Sequence, residues 1–389
     1  MFRIFLVLVL SLFASGCMAM QDKEIIVGAE RTSLYLDELK DKNVGLVVNN
    51  TSIAEGEHLV DFLLKQQVAV TKIFAPEHGF RGDVSAGGEV VDGLDKSTGL
   101  PVFSLYGTNK KPTAEHFDGL DVVVFDIQDV GCRFYTYIST LHYVIEACAE
   151  NDVPLVVFDR PNPNGDYVAG PIRKKGLESF VSLDPIPIVH GCTIGELAKM
   201  INEEGWHEAD NKCNLTVIPV QNYNHNMAYS LPVRPSPNLP NDLAVRLYPS
   251  LCFFEATSVS VGRGTDFPFQ VLGGLKEDLG TFEFTPRSIP GVAINPLNKD
   301  KKCYGVDLRM LENTPKFTLK YFLDFYNKYE DETEFLTRER WLNLLAGTDS
   351  MIKQIREGKS EAEILESWQP ELEEFKQTRK KYLLYPDFE

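Results

Sequence analysis

The residues best placed to do chemistry lie in V-A-V-T-K-I-F-A-P-E-H-G-F-R-G-D, from Val68 to Asp83. The apolar first half predicts a buried strand, and Pro76 stops it because proline brings no N–H to the ladder. Glu77, His78 and Arg81 follow at once, so a carboxyl, an imidazole and a guanidinium share one glycine-spaced loop. Other apolar runs end in a similar way. V-G-L-V-V gives way to Asn49, D-V-V-V-F-D closes on Asp126 with Asp129 behind it, and P-L-V-V-F-D closes on Asp159 with Arg160 and Asn162 beyond. An acidic or amide residue leaving a strand is usually a cap or a turn former. Several of them at the carboxyl ends of parallel strands imply one crevice assembled from loops. The chemistry such a crevice offers is hydrolysis by carboxyl groups.

Other chemistries lack their residues. There is no G-x-S-x-G elbow, since D-V-S-A-G around Ser85 misses the first glycine. G-R-G-T-D-F at 262 to 267 misses the last glycine of a dinucleotide fingerprint, and no P-loop or H-E-x-x-H is present. Cys132, Cys148, Cys192, Cys213, Cys252 and Cys303 are widely spaced without C-x-x-C, which reads as buried thiols rather than a zinc site. Neither a cofactor nor a metal is expected. A formal charge of −17 argues against nucleic acid, whose phosphates need a basic footprint.

The elements that must hold these loops follow from the pattern. At 389 residues the chain is long enough for two cores. Strand runs at 44 to 48, 68 to 75, 101 to 106, 121 to 126, 154 to 159 and 215 to 220 alternate with helical patterns. This predicts an α/β, Rossmann-like, doubly wound and mostly parallel sheet over residues 21 to 235. A helix after Gly131 and Arg133 carries Ile138, Leu141, Val144, Ile145 and Cys148 on one face. Tyr135 and Tyr137 at its start are either packing rings or a sugar-stacking platform with a phenol near the reaction centre. The prolines of D-R-P-N-P-N make a rigid loop that presents Arg160 and Asn162. His190 follows I-P-I-V and precedes a capping box of Thr193 and Glu196. P-S-P-N-L-P marks a crossover into a smaller α+β domain, 236 to 389, that closes the cleft. There C-F-F-E-A-T-S-V-S-V-G-R-G-T-D is expected to form a strand and a glycine turn bearing Glu255, Ser258, Arg263, Thr265 and Asp266.

Residues 1 to 20 stand apart. Arg3, the apolar run from Ile4 to Phe13 and A-S-G-C have the layout of a lipoprotein-type signal with cleavage before Cys17. Ala14 stands where leucine is usual, which leaves plain secretion open. The run holds roughly ten apolar residues, and a membrane span needs about 20. The expected location is the periplasm or the outer membrane, with the lipid on Cys17 as the sole membrane contact.

The ordered motifs N-N-T-S (49 to 52), A-P-E-H-G-F-R-G (75 to 82), F-D-I-Q-D-V-G-C-R-F-Y-T-Y (125 to 137), F-D-R-P-N-P (158 to 163), H-G-C-T-I-G-E-L (190 to 197), P-S-P-N-L-P (235 to 240) and E-A-T-S-V-S-V-G-R-G-T (255 to 265) span nearly all of the mature chain. Together they resemble the YbbC/NamZ family of exo-acting β-N-acetylmuramidases. The resemblance implies removal of terminal N-acetylmuramic acid from the non-reducing end of peptidoglycan fragments, with disaccharides or glycan chain ends as partners. Glycoside hydrolysis needs a protonated carboxyl beside the leaving oxygen and a second group across the sugar. Glu77 is the expected acid. Asp126 is the first candidate for the second group, with Asp129 behind it. A tyrosine nucleophile, Tyr135 or Tyr137, and the substrate's own N-acetyl group are the known exceptions. The lactyl carboxylate of muramic acid calls for an arginine, with Arg133, Arg160 and Arg263 as candidates. Asn49, His78, Arg81, Asn162, His190 and Asp266 complete the substrate-binding set. A non-catalytic carbohydrate-binding lipoprotein would use the same cleft, and an esterase would need an activated serine that the sequence does not offer.

Overall fold

The computed structural model describes residues 23–81 and 92–389. The stretch expected to be a leader, with Cys17, and the Ser85 near-elbow lie outside the described residues. The strands in chain order are β1 (Asn43–Val48), β2 (Ile53–Ala54), β3 (Glu57–His58), β4 (Ala69–Ala75), β5 (Gly93–Leu94), β6 (Pro101–Ser104), β7 (Val122–Asp126), β8 (Leu155–Phe158), β9 (Leu215–Ile218), β10 (Val271–Gly274), β11 (Phe282–Phe284) and β12 (Cys303–Asp307).

Seven of them form one sheet in the order β5-β6-β4-β1-β7-β8-β9. All of its pairs are parallel except β5 with β6, the antiparallel edge. Counted in chain order, the six parallel strands lie 3-2-1-4-5-6, the doubly wound arrangement whose order reverses between β1 and β7. Strands covered on both faces read as unbroken apolar runs, and the period of two then decides which face each side chain meets. Val44, Leu46, Val48, Val122 and Val124 enter the core on one face, while Val47, Val123 and Phe125 enter the core on the other. Gly45 interrupts β1 because a Cβ there would stand 2.8 Å from Leu120 and 3.1 Å from Phe74.

A smaller body follows, built on the antiparallel sheet β10-β12-β11 and the helices from Lys320 onward. It has a small cluster of its own, Val271, Phe284 and Cys303 with Phe267 and Phe282, but most of its apolar residues join the main core. The apolar cluster beneath Val47 and Phe125 continues through Phe253, Phe254 and Phe322 to Phe375. The segment expected to open this body as a strand is instead a 3-10 helix, Cys252–Ala256, which packs its phenylalanines into that shared cluster. The carboxyl-terminal tail also crosses back. Arg379 donates to the Gly191 carbonyl at 2.6 Å, Leu384 N–H to Glu196 at 2.8 Å, and the Tyr385 hydroxyl to Asp159. The capping boxes at Thr193/Glu196 and Ser360/Glu363 both form. No helix among the described residues is long and apolar enough to cross a membrane.

Candidate active site

Glu77 owes its position to the end of β4. The strand stops at Ala75, Gly79 N–H closes a turn onto the Pro76 carbonyl at 3.0 Å, and both His78 (φ 73°) and Gly79 (φ 78°) take the left-handed conformation. A histidine held there stores backbone strain, which tertiary contacts must offset. The turn leaves Glu77 half-buried, with its Oε2 accepting the Thr136 hydroxyl at 2.9 Å. Thr136 is the residue before the helix Tyr137–Glu150, so the acid rests on a helix start. Tyr106, just past β6, joins it. Burial first, then the charge of Glu77 and a hydrogen bond with it, then the charge of Glu255, push this phenol up.

Glu77 and Tyr106 lie on the wall of a cleft of ≈ 1410 Å³. The facing wall comes from the smaller body and carries Glu255, Arg263, Arg338 and Trp341. Glu255 sits on the 3-10 helix and accepts from Arg263 Nη2 at 2.6 Å, while Arg263 lies 5.0 Å over the Phe269 ring. Two carboxyl groups from segments far apart in the chain thus border one cleft.

The other residues singled out in the sequence are placed differently. Asp126 is fully buried, and Arg160 clamps both of its oxygens, Nε at 2.6 Å and Nη2 at 2.8 Å. This pair fills the crevice where the strand order reverses and lies outside the cleft lining. Asn49 is buried there too, accepting from Thr51 N–H at 2.9 Å. Asn162 donates to the Cys192 carbonyl at 2.8 Å and packs its amide against Gly131, where a Cβ would stand 2.1 Å from it. His190 is fully buried, and its Nδ1 accepts from Cys192 N–H at 3.2 Å. Arg133 is spent on main-chain carbonyls of Pro171, Ile186 and Leu345 at 2.6–2.9 Å, joining the two bodies. Arg81 forks onto Asp95 at 3.1 and 3.0 Å. Asp266 is an exposed partner of Arg287. Each of these side chains is engaged inside the protein or faces open solvent, and none lines the cleft, although Asn49 Nδ2, Arg133 Nε and His190 Nε2 are buried without a hydrogen-bond partner.

Tyr135, Tyr137 and Asp129 stand between these two groups. Both phenols donate to the Pro235 carbonyl, at 2.8 and 3.3 Å, and Tyr137 also reaches the Glu77 carbonyl at 3.4 Å. Burial pushes both phenols up, and the charges of Glu77 and Asp129 add to it. Asp129 is 6% exposed and accepts Gly131 N–H at 2.6 Å. Tyr137 thus backs the Glu77 turn, while none of the three lines the cleft itself. His78 is buried beside Glu77. Glu255, Tyr106, Thr136 and Lys110, all on the cleft lining, are not among the catalytic or binding candidates read from the sequence. Tyr106 ends an apolar strand run, so the rule that selected Glu77 selects it as well.

The six described cysteines are all free and buried. Among the described residues, no group of three or more His, Cys, Asp or Glu could hold a metal ion.

A doubly wound sheet joined to a smaller α+β body, with carboxyl groups from both facing one deep cleft, defines a class of two-lobed α/β protein built for a small polar ligand. Residues 44–243 match the family described as Exo-beta-N-acetylmuramidase NamZ, N-terminal, and residues 246–385 its C-terminal counterpart. The peptidoglycan beta-N-acetylmuramidase NamZ of Bacillus subtilis (strain 168) is 39% identical over 375 residues, covering 90% of this chain and 89% of that protein. Two crystal structures of DUF1343 family proteins from Bacteroides fragilis NCTC 9343 share the fold. One has a TM-score of 0.87 at 45% identity, covering 94% of this chain and 100% of that one. The other has 0.81 at 28% identity, covering 93% and 99%. The chain belongs to the exo-β-N-acetylmuramidase NamZ family.

Proposed function

We propose that this protein is an exo-acting glycoside hydrolase that releases terminal β-1,4-linked N-acetylmuramic acid from the non-reducing end of peptidoglycan fragments, with Glu77 as the general acid. The observation that carries the assignment is the setting of Glu77. It is a half-buried carboxyl on a strained turn, fixed by the Thr136 hydroxyl and Tyr106, facing a cleft large enough for a disaccharide. There it hands its proton to the departing sugar oxygen. Asp126, engaged by Arg160, does not serve as the second group in this reading. Glu255 takes that place, since among the described residues it and Glu77 are the carboxylates lining the cleft, and Arg263 orients it. Residues 21–235 supply the acid and residues 236–389 close the cleft over the sugar.

Purified protein incubated with a chromogenic β-N-acetylmuraminide tests the assignment. Release of the chromophore is expected, and binding without release would make the protein a receptor. Glu77→Gln should lower kcat by about 10²–10⁴, the usual yield of a positioned acid. Activity within about tenfold of wild type, a barrier change near 1.4 kcal/mol, would remove Glu77 from the role. We also propose export to the periplasm or outer membrane, on the leader pattern of residues 1–20. Mass spectrometry of protein from membranes would show a diacylglyceryl mass on Cys17.

A further inference from the structure

Lys110 and its neighbour Lys111 have opposite fates. Lys111 is neutralised by Glu146 and by Glu150 at 2.7 Å on the helix behind it. Lys110 lines the cleft, half-buried, and has no carboxylate partner among the described residues. Its ammonium lies 4.8 Å from the centroid of the Phe180 ring. Phe180, also on the cleft wall, stacks on Tyr143 at 6.3 Å and 12° and lies 6.2 Å from Tyr106, the phenol bonded to Glu77. The ring is thereby fixed, and it puts the lysine on the same wall as the acid.

Charge balance gives this placement its meaning. The chain carries a net −17, yet the described cleft lining holds three cations, Lys110, Arg263 and Arg338, against two carboxylates. Arg263 is matched by Glu255, and Arg338 donates to the Glu255 carbonyl while lying 5.8 Å over Trp341. A cation left unmatched over an aromatic face, in a protein with acidic residues to spare, is a seat for an anion that arrives with the ligand.

We propose that Lys110, with Phe180 as its floor, binds a carboxylate of the substrate and so selects muramic acid over the same sugar without its lactyl ether. The proposal rests on the muramidase reading for its substrate class and takes the place of the arginine expected from sequence. Two sources share this chemistry: the lactyl carboxylate itself, and a carboxylate on a peptide joined to the lactyl group. Titration calorimetry measures binding without turnover, so its outcome is independent of hydrolysis. The probes are free N-acetylmuramic acid, N-acetylmuramoyl dipeptide and N-acetylglucosamine, with wild type, Lys110→Met and Lys110→Arg.

The expected result is that Lys110→Met weakens N-acetylmuramic acid by about tenfold or more, as loss of a charge-assisted bond does, leaves N-acetylglucosamine unchanged, and is partly rescued by Lys110→Arg. Weakening confined to the dipeptide would support the same seat with the peptide as the carboxylate source. Equal affinity of Lys110→Met and wild type for both muramyl probes would overturn the proposal, as would an equal loss for N-acetylglucosamine. A wild type that binds muramic acid but releases none from the chromogenic substrate would sink the hydrolase reading and leave the subsite standing.

Discussion

Two carboxylate–guanidinium pairs, set in different regions, show how position changes what the same chemistry does. Asp126–Arg160 fills the reversal point of the main sheet, 0% and 3% exposed, with every close donor and acceptor inside the protein. Glu255–Arg263 borders the cleft at 23% and 29% exposure, where a ligand can reach it. Open α/β sheets bind ligands at the reversal point. Here that crevice is plugged by an ion pair, and the open cleft lies instead beyond the ends of β4 and β6, under the smaller body. An ion pair sealed in the interior is structural because removing one member strands a charge; one beside water can lose its partner at small cost.

The sharpest way to break this comparison is to cut the inner pair. Arg160→Met should lower the free energy of unfolding by about 3–5 kcal/mol, read from urea midpoints, because Asp126 is left charged and dry. A loss below about 1 kcal/mol would mean that the pair is solvated after all. The cleft pair should give the reverse pattern. Arg263→Met should cost about 1 kcal/mol or less in stability, yet reduce kcat/KM on the chromogenic muraminide by at least about tenfold. Equal stability losses for the two substitutions would erase the distinction.

A third pair, Arg81–Asp95, gives the smallest effect and sharpens it through pH. Burial alone would raise the Asp95 carboxyl, but the Arg81 fork and the Thr98 hydroxyl and amide outweigh it and hold the group at about 2. Its folded-state value lies below the ordinary one. The contribution is therefore present above about pH 4 and is lost as pH falls through about 2. The stability difference between wild type and Arg81→Met should be constant near neutrality and shrink across that acid window. A difference that stays flat down to pH 2 would deny the linkage.

Much of the architecture could be read from short stretches. β4 ends where Pro76 requires, and the helix beginning at Ile194 starts at its capping box. The parallel strands follow their β-branched runs, because each of these features depends on neighbours a few residues away. The stretch from Cys252, expected to hold a strand and a glycine turn, begins with a 3-10 helix, because its aromatic run fits a buried strand and a buried helical turn equally well until Phe322 and Phe335 pack against Phe254. In the site, Glu77 and Arg263 were legible as strand-end and glycine-turn residues. Asp126, Arg133 and Arg160 looked just as good, because residue type and local spacing carry no information on what lies across the fold.

The amino-acid order by itself settled where strands stop, which loops carry acids, and the family to which the ordered motifs point. Those are properties of contiguous residues acting through backbone geometry and the hydrophobic period. Tertiary structure alone decided which acid meets the cleft and which is sealed. Asp126 is neutralised by a residue 34 positions away, and Glu77 acquires its opposite number from the other body. Desolvation and pairing are set by what surrounds a charge in space, and for these residues the surroundings come from distant parts of the chain.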